Sequence, residues 1–127
     1  MQAPMTITSS ILRVLTKLSI PPEQRRFFLV SQSVTWLALA MHLAFLILFA
    51  YLNVPLLIWF NLASVILYAC CIFLNLKGKA NITYVTGLVE VLAHAAVSAR
   101  LLGWESGFHY YILCLSPLLF FLPFGHT

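Results

Sequence analysis

From Phe27 to Leu76 the chain holds not one Asp, Glu, Lys or Arg, and after Lys77 and Lys79 a second apolar run to Leu102 is broken only by Glu90 and Arg100. A run of that kind constrains the fold more than any motif. A helix needs about 20 mostly apolar residues to cross the hydrocarbon of a bilayer, and several such stretches fit here. The overall balance agrees: 62% of the residues are hydrophobic and 8% are charged, whereas a water-soluble domain draws roughly a quarter of its residues from the charged types. The expected class is all-α, an integral membrane four-helix bundle preceded by a short cytoplasmic amphipathic helix. The domain organisation is 1–26 as that segment and 27–127 as the transmembrane domain.

Residues 1–26 are not apolar enough to span. Ser9-Ser10 followed by Ile11, Leu12, Val14, Leu15 and Leu18, with Arg13 and Lys17 between them, predicts a capped amphipathic helix at the headgroup surface. Pro21-Pro22 ends it, and Arg25-Arg26 mark the start of the first span. A cleaved signal peptide is not expected, because the first apolar run continues to full spanning length. The spans are placed at Phe27 to Tyr51, Pro55 to Leu76, Ile82 to Leu102 and Phe108 to Phe124, the last short and interrupted by Pro117. Asn53-Val54-Pro55, Lys77-Gly78-Lys79 and Gly103-Trp104-Glu105-Ser106-Gly107 are the turns between them. No internal repeat is evident.

The basic residues set an orientation, since cytoplasmic flanks carry the excess of Lys and Arg. Arg13, Lys17, Arg25 and Arg26 precede the first span and Lys77 and Lys79 follow the second, against Arg100 alone at the other ends. Both termini are therefore expected in the cytoplasm of a multi-pass protein of the cell's inner (plasma) membrane. Asn81-Ile82-Thr83 matches a glycosylation acceptor on the wrong side of the bilayer. The net charge of +4 sits at the ends of apolar runs and forms no basic patch with interleaved aromatics, which argues against nucleic acid. Cys70, Cys71 and Cys114 lie within apolar segments and read as buried free thiols, without disulfide or zinc spacing.

Ionisable groups within lipid are costly, so each asks for a partner, a wet cavity or a ligand. Glu90 sits near the middle of the third span with His94 at i+4 on the same face, and Gly87 and Ser98 close to that stripe. Thr35 and His42, with Gln32 nearer the cytoplasmic end, offer a seam on the first span, and Asn61, Ser64 and Tyr68 another on the second. At 1.5 Å per residue, His42 and His94 both fall roughly 12 to 14 Å below the outer boundary, with Glu90 about 6 Å deeper than His94. His109 begins the fourth span at the outer surface, so the seam is expected to open outward.

Three readings stand for that seam. It fixes helix packing through an interhelical Glu–His contact, or it forms an outward-opening pocket for a small ligand or proton. In the third, His42 and His94 hold a metal or haem; otherwise no cofactor is expected. Arg100 and Glu105 flank the outer loop, where they pair with each other, where Arg100 snorkels to the headgroups, or where it attracts an anionic ligand. Trp104, Phe108, Tyr110 and Tyr111 read as an interfacial belt or as a binding cage. Trp36, Trp59 and Phe120-Phe121 read as lipid-facing or packing residues.

The segment Leu88 to Ala96 (LVEVLAHAA), followed by Leu102 to Tyr111 (LGWESGFHYY), resembles the amino-terminal membrane sensor region of bacterial diguanylate cyclases and class III adenylate cyclases. The Gly-Trp-Glu-Ser-Gly-Phe-His-Tyr-Tyr run is the specific part, and the likeness extends loosely over the first two spans. The resemblance implies a bundle of about six spans that receives a signal and passes it to a cytoplasmic cyclase domain. Glu90, His94, Trp104, Glu105, His109, Tyr110 and Tyr111 match that pattern. This chain runs only to Thr127, just past the fourth span. Against the resemblance, the last two spans and the output domain are not in it, which fits a truncated gene product, a fragment of a longer chain, or an independent module that works with a separate partner. No metal-binding carboxylate pair or phosphate loop marks a catalytic domain, so an enzyme is not expected.

The sequence thus predicts a membrane-embedded input module that senses a small ligand at its outer face. The candidate positions are Glu90, His94, Arg100, Trp104, Glu105, His109, Tyr110, Tyr111 and His42. Lipid, a possible homodimer and a cytoplasmic output domain are its expected partners. A small proton-coupled transporter using Glu90, or a purely structural membrane protein, are the alternatives.

Overall fold

The structure, a computed structural model, describes Thr16 and residues 20–119. A 3-10 turn at Pro22–Gln24 leads into α1 (Arg25–Tyr51), followed by α2 (Pro55–Leu76) and α3 (Ala80–Leu102). Two further 3-10 turns, Trp104–Ser106 and Phe108–Tyr110, then precede the short α4 (Tyr111–Leu119). No strand occurs among the described residues. The segments Pro22–Tyr51, Pro55–Leu76 and Ala80–Leu102 are long and apolar enough to cross a membrane. The 22 residues of α2, the shortest of these, reach ~33 Å at helical rise, enough for a hydrocarbon layer of about 30 Å.

The expected fourth span is described only in part. α4 is nine residues long with Pro117 inside it, and the stretch from 120 to Phe124 lies outside the described residues. The amphipathic helix expected before Pro21 also lies outside them, apart from Thr16, which is helical.

The turns follow from specific residues. After α1, Asn53 takes a positive φ of 55°, and the Val54 and Asn53 amides donate to the carbonyls of Phe49 and Ala50. That is the Schellman pattern, which needs a left-handed residue just beyond the cap. Asn tolerates this conformation and β-branched residues do not. Pro55 then opens α2, where its missing N–H costs nothing. Gly78 repeats the motif after α2, with its amide on Asn75 O and that of Lys79 on Leu74 O. Asn53→Val should therefore lower stability by about 1–2 kcal/mol and Asn53→Gly should be near neutral, read as unfolding midpoints of the purified protein in detergent.

Polarity is distributed inside out. The buried polar set is Ser31, Thr35, His42, Asn61, Ser64, Asn75, Thr83, Glu90, His94 and Ser98, while Ile47 (74%), Trp59 (70%) and many other large apolar side chains are exposed. Water would penalise so large an exposed apolar surface, whereas acyl chains solvate it without cost. Trp36 is among the outward-facing residues, as the sequence suggested. Cys71 is buried but Cys70 faces outward, because neighbours on a helix point about 100° apart.

The buried positions fall on regular seams. On α2 they are Leu57, Asn61, Ser64, Tyr68, Cys71 and Asn75, a strict alternation of four and three residues. Phe28, Ser31, Thr35, His42 and Phe49 on α1 keep the same phase. Such spacing holds one stripe of a helix against its neighbours over its whole length. α2 packs most extensively against α1 and then against α3, and α3 also touches α1 and carries α4.

Candidate functional site

Glu90 occupies the centre of the three-helix contact. Ser64 Oγ donates to its Oε1 at 2.5 Å and the Tyr68 hydroxyl to its Oε2 at 2.7 Å. From α1, His42 Nε2 stands 3.2 Å from Oε1, within ion-pair reach although off the line of a hydrogen bond. One carboxyl on α3 thus touches both of the other long helices, α1 and α2.

The backbone partner of His42 fixes one of its ring hydrogens. His42 Nδ1 lies 2.7 Å from the Ala38 carbonyl, which can only accept, so Nδ1 carries hydrogen. Nε2 is then a bare lone pair or a second N–H. Either way it faces the Glu90 carboxyl, so the two buried polar groups offset each other's cost of leaving water. Both hydroxyl donors of α2 point at the carboxyl oxygens and fix its orientation.

The same polar seam continues on either side. Towards the Lys77 end, Ser31 Oγ donates to Asn75 Oδ1 at 3.2 Å, Asn75 Nδ2 donates to Thr35 Oγ1 at 3.4 Å, and Thr83 Oγ1 donates to the Cys71 carbonyl at 3.2 Å. Towards the other end, the Asn61 side-chain amide donates to the His42 carbonyl. Asn61 Oδ1, His94 Nε2 and Ser98 Oγ are buried there without a partner.

His94 does not pair with Glu90, although it lies one turn further along α3. Its ring is 5.0 Å from that of His42, edge to face, and is enclosed by Phe60 at 5.6 Å, Phe45 at 5.9 Å, and Phe49 and Phe108 at 6.0 Å. Phe49, Leu57 and Phe108 form a core cluster above it, with Phe45, Val97 and Tyr111 packed against it. The seam is therefore capped by phenylalanine at the end that carries Asn53 and Trp104. An opening there, as expected from the depth of His109, is not seen among the described residues.

The remaining candidate residues lie apart from this centre. Trp104 is 68% exposed and stacks on His109 at 3.8 Å with 10° between the planes, and His109 lies 4.0 Å from Tyr110. Arg100 and Glu105 are both exposed, and no ion pair joins them. Tyr111 turns inward, 5.8 Å from Phe108 and 6.0 Å from Phe45. The candidates thus separate into an inner group, His42, Glu90 and His94, and a surface ring stack of Trp104, His109 and Tyr110.

A cavity of about 50 Å³ lies between α1 and α3, lined by Ser31, Thr35, Tyr68, Thr83, Gly87 and Leu115 among others. A haem does not fit these residues. Two axial imidazoles stand on opposite faces of a flat macrocycle, whereas the rings of His42 and His94 touch each other and phenylalanine fills the space around His94. Among the described residues no group of three or more His, Cys, Asp and Glu is arranged to hold a metal ion. Comparison of the chain with protein-family models, with curated proteins and with solved structures finds no match.

Proposed function

We propose that the chain is the membrane-embedded input module of a bacterial signalling protein, with the Glu90–His42 pair as the element that changes state. The observation that carries this reading is the single carboxyl that binds Ser64 and Tyr68 of α2 and faces His42 of α1 from α3. Adding or removing a proton there alters the contacts of all three spanning helices at once. A stimulus moves such an equilibrium only through its different affinity for two arrangements, and a buried acid–imidazole pair offers two of different proton count. In this reading the basic ends at Arg25-Arg26 and Lys77–Lys79 face the cytoplasm. Helix displacement there reaches an output domain, by resemblance a nucleotide cyclase, and a homodimer pairs two such outputs.

Distances between spin labels placed at the exposed positions Ile47 and Val89 test this reading. The α1–α3 separation should shift as the buffer is taken from alkaline to acidic, and Glu90→Gln should abolish the shift. A distance distribution unchanged across that range would rule the reading out and leave a bundle whose polar seam only holds helices together.

One observation favours a second reading, a proton-coupled carrier: the cavity reaches the Tyr68 ring, whose hydroxyl binds Glu90. Such a carrier should move a solute across reconstituted vesicles and stop in Glu90→Gln.

A further inference from the structure

The cavity between α1 and α3 is narrow and its wall is almost entirely apolar. The hydroxyls that border it are engaged elsewhere: Ser31 with Asn75, Thr35 with the Ser31 carbonyl, Thr83 with the Cys71 carbonyl and Tyr68 with Glu90. Apolar cavities of this kind stay free of water and take apolar guests. The volume of about 50 Å³ is well below the ~150 Å³ of a dry cavity that admits benzene. A ring system therefore does not enter, whereas the width suits a single hydrocarbon chain.

Both ends of the cavity are closed. At the Lys77 end the Phe27 and Tyr84 rings meet at 5.4 Å and Ile20 packs on Phe28. At the other end the Phe45, Phe49, Phe60 and Phe108 rings surround His94. Its sides differ: Ser31, Thr35, Tyr68 and Thr83 on the floor are buried, while Val34, Ala38, Gly87, Leu88 and Val91 on the rim are half-buried. The cavity is thus a cleft that faces sideways, between α1 and α3. Measured from Lys79 along α3 at helical rise, it runs from ~6 Å at Thr83 to ~18 Å at Val91. With a hydrocarbon core of about 30 Å, that depth belongs to the acyl chains of the leaflet on the Lys77 side.

The charges at that end define the rest of the guest. Arg26 opens α1 and Lys79 precedes α3, the two helices that border the cleft. Both are exposed, and neither has an ion pair or a side-chain hydrogen bond among the described residues. Glu23 is the single acidic residue near them and pairs with neither. Basic groups at the end of a cleft between spanning helices suit an anionic headgroup. We propose that the cleft binds one acyl chain of an anionic phospholipid from the leaflet on the Lys77 side, with the lipid phosphate at Arg26 and Lys79. Tyr68 forms part of the floor while its hydroxyl holds Glu90, so the lipid chain and the buried carboxyl share one side chain.

Photolabelling tests the site. The full chain is reconstituted in phosphatidylcholine vesicles with a minor share of phosphatidylglycerol that carries a diazirine midway along one acyl chain, and the labelled residues are mapped by mass. Val34, Ala38, Leu88 and Val91 should be labelled severalfold more than Ile66 and Phe73, which lie fully outside on α2 at similar depths, ~17 and ~6 Å from Lys77. Unlabelled phosphatidylglycerol should displace the probe from the cleft far better than phosphatidylcholine does. In Lys79→Gln that preference should fall about fivefold, the effect of one basic residue near an anionic surface. A methyl group at position 87 makes an ordinary 3.7 Å contact with the Tyr68 ring, and the longer side chain of Gly87→Leu should fill the cleft and bring its labelling down to that of Ile66 and Phe73. Equal labelling of the cleft and the outer face of α2 in the parent protein, or displacement by both lipids alike, would overturn the site. Neither result depends on whether the α1–α3 distance answers pH, so this site and the input reading fail separately.

Discussion

Glu90→Leu should destabilise the bundle by about 2 kcal/mol, while Glu90→Gln should cost less than about 1 kcal/mol; the contrast follows from counting partners. With leucine at position 90, Ser64 can fall back on the Phe60 carbonyl at 3.2 Å and Tyr68 on the Gly87 carbonyl at 3.4 Å. His42 Nε2 has no such alternative and stays buried and unpaired, which is the expensive outcome inside lipid. Glutamine keeps an acceptor for Tyr68 and offers an N–H to the bare Nε2 of a neutral His42, so the geometry survives and only the titrating proton is lost. Steric-trap unfolding in bicelles reads both numbers. Comparable losses for the two variants would mean that the charge of the pair, and not its hydrogen bonding, holds the helices.

Phe49→Ala should cost more, about 3 kcal/mol or somewhat above, as expected for removing a buried aromatic ring from a packed site. Phe49 is fully buried and touches Phe45, His94 and Phe108. In a bilayer the loss is one of packing, since the ring gains nothing by leaving water. The functional consequence is specific: the layer above His94 opens, and the thiol of Val97→Cys should become reactive towards silver from the Trp104 side in the Phe49→Ala background. Unchanged reactivity there, with stability reduced, would show that Phe49 packs the bundle without sealing it.

The spans were legible because lipid enforces a simple rule and the turns obey local chemistry. Asn53 with Pro55, Lys77 with Gly78, and Gly103 each end or begin a helix for a reason visible in the residue itself, and the boundaries at Tyr51, Pro55, Leu76 and Leu102 follow. The two residues by which α3 begins earlier than Ile82 are Ala80 and Asn81, which carry no stop signal. The stretch after Gly103 was harder: two glycines, a short apolar run and Pro117 leave α4 as nine described helical residues.

Within the site, Glu90 stands out in the sequence as a lone acid in an apolar run, and spacing alone points it at His94 on its own helix. An i, i+4 neighbour can be read from spacing, whereas contact with His42 depends on how α1 is rotated against α3. Asn75 and Ser31 were missed, although Asn75 completes the alternation of four and three residues that runs through Asn61, Ser64 and Tyr68. The ring layer of Phe45, Phe49, Phe60 and Phe108 had no signal. The chain has 10 phenylalanines, and in a spanning helix a ring that seals a polar seam is spelled the same as one that faces lipid.

A double-mutant cycle on His42→Asn and Glu90→Gln, with unfolding free energies measured in bicelles, tests most directly whether these two side chains hold α1 to α3 through each other. A coupling energy of about 1 kcal/mol or more is expected, in the upper part of the range for polar contacts between spanning helices. Additivity of the two substitutions within about 0.3 kcal/mol would contradict it.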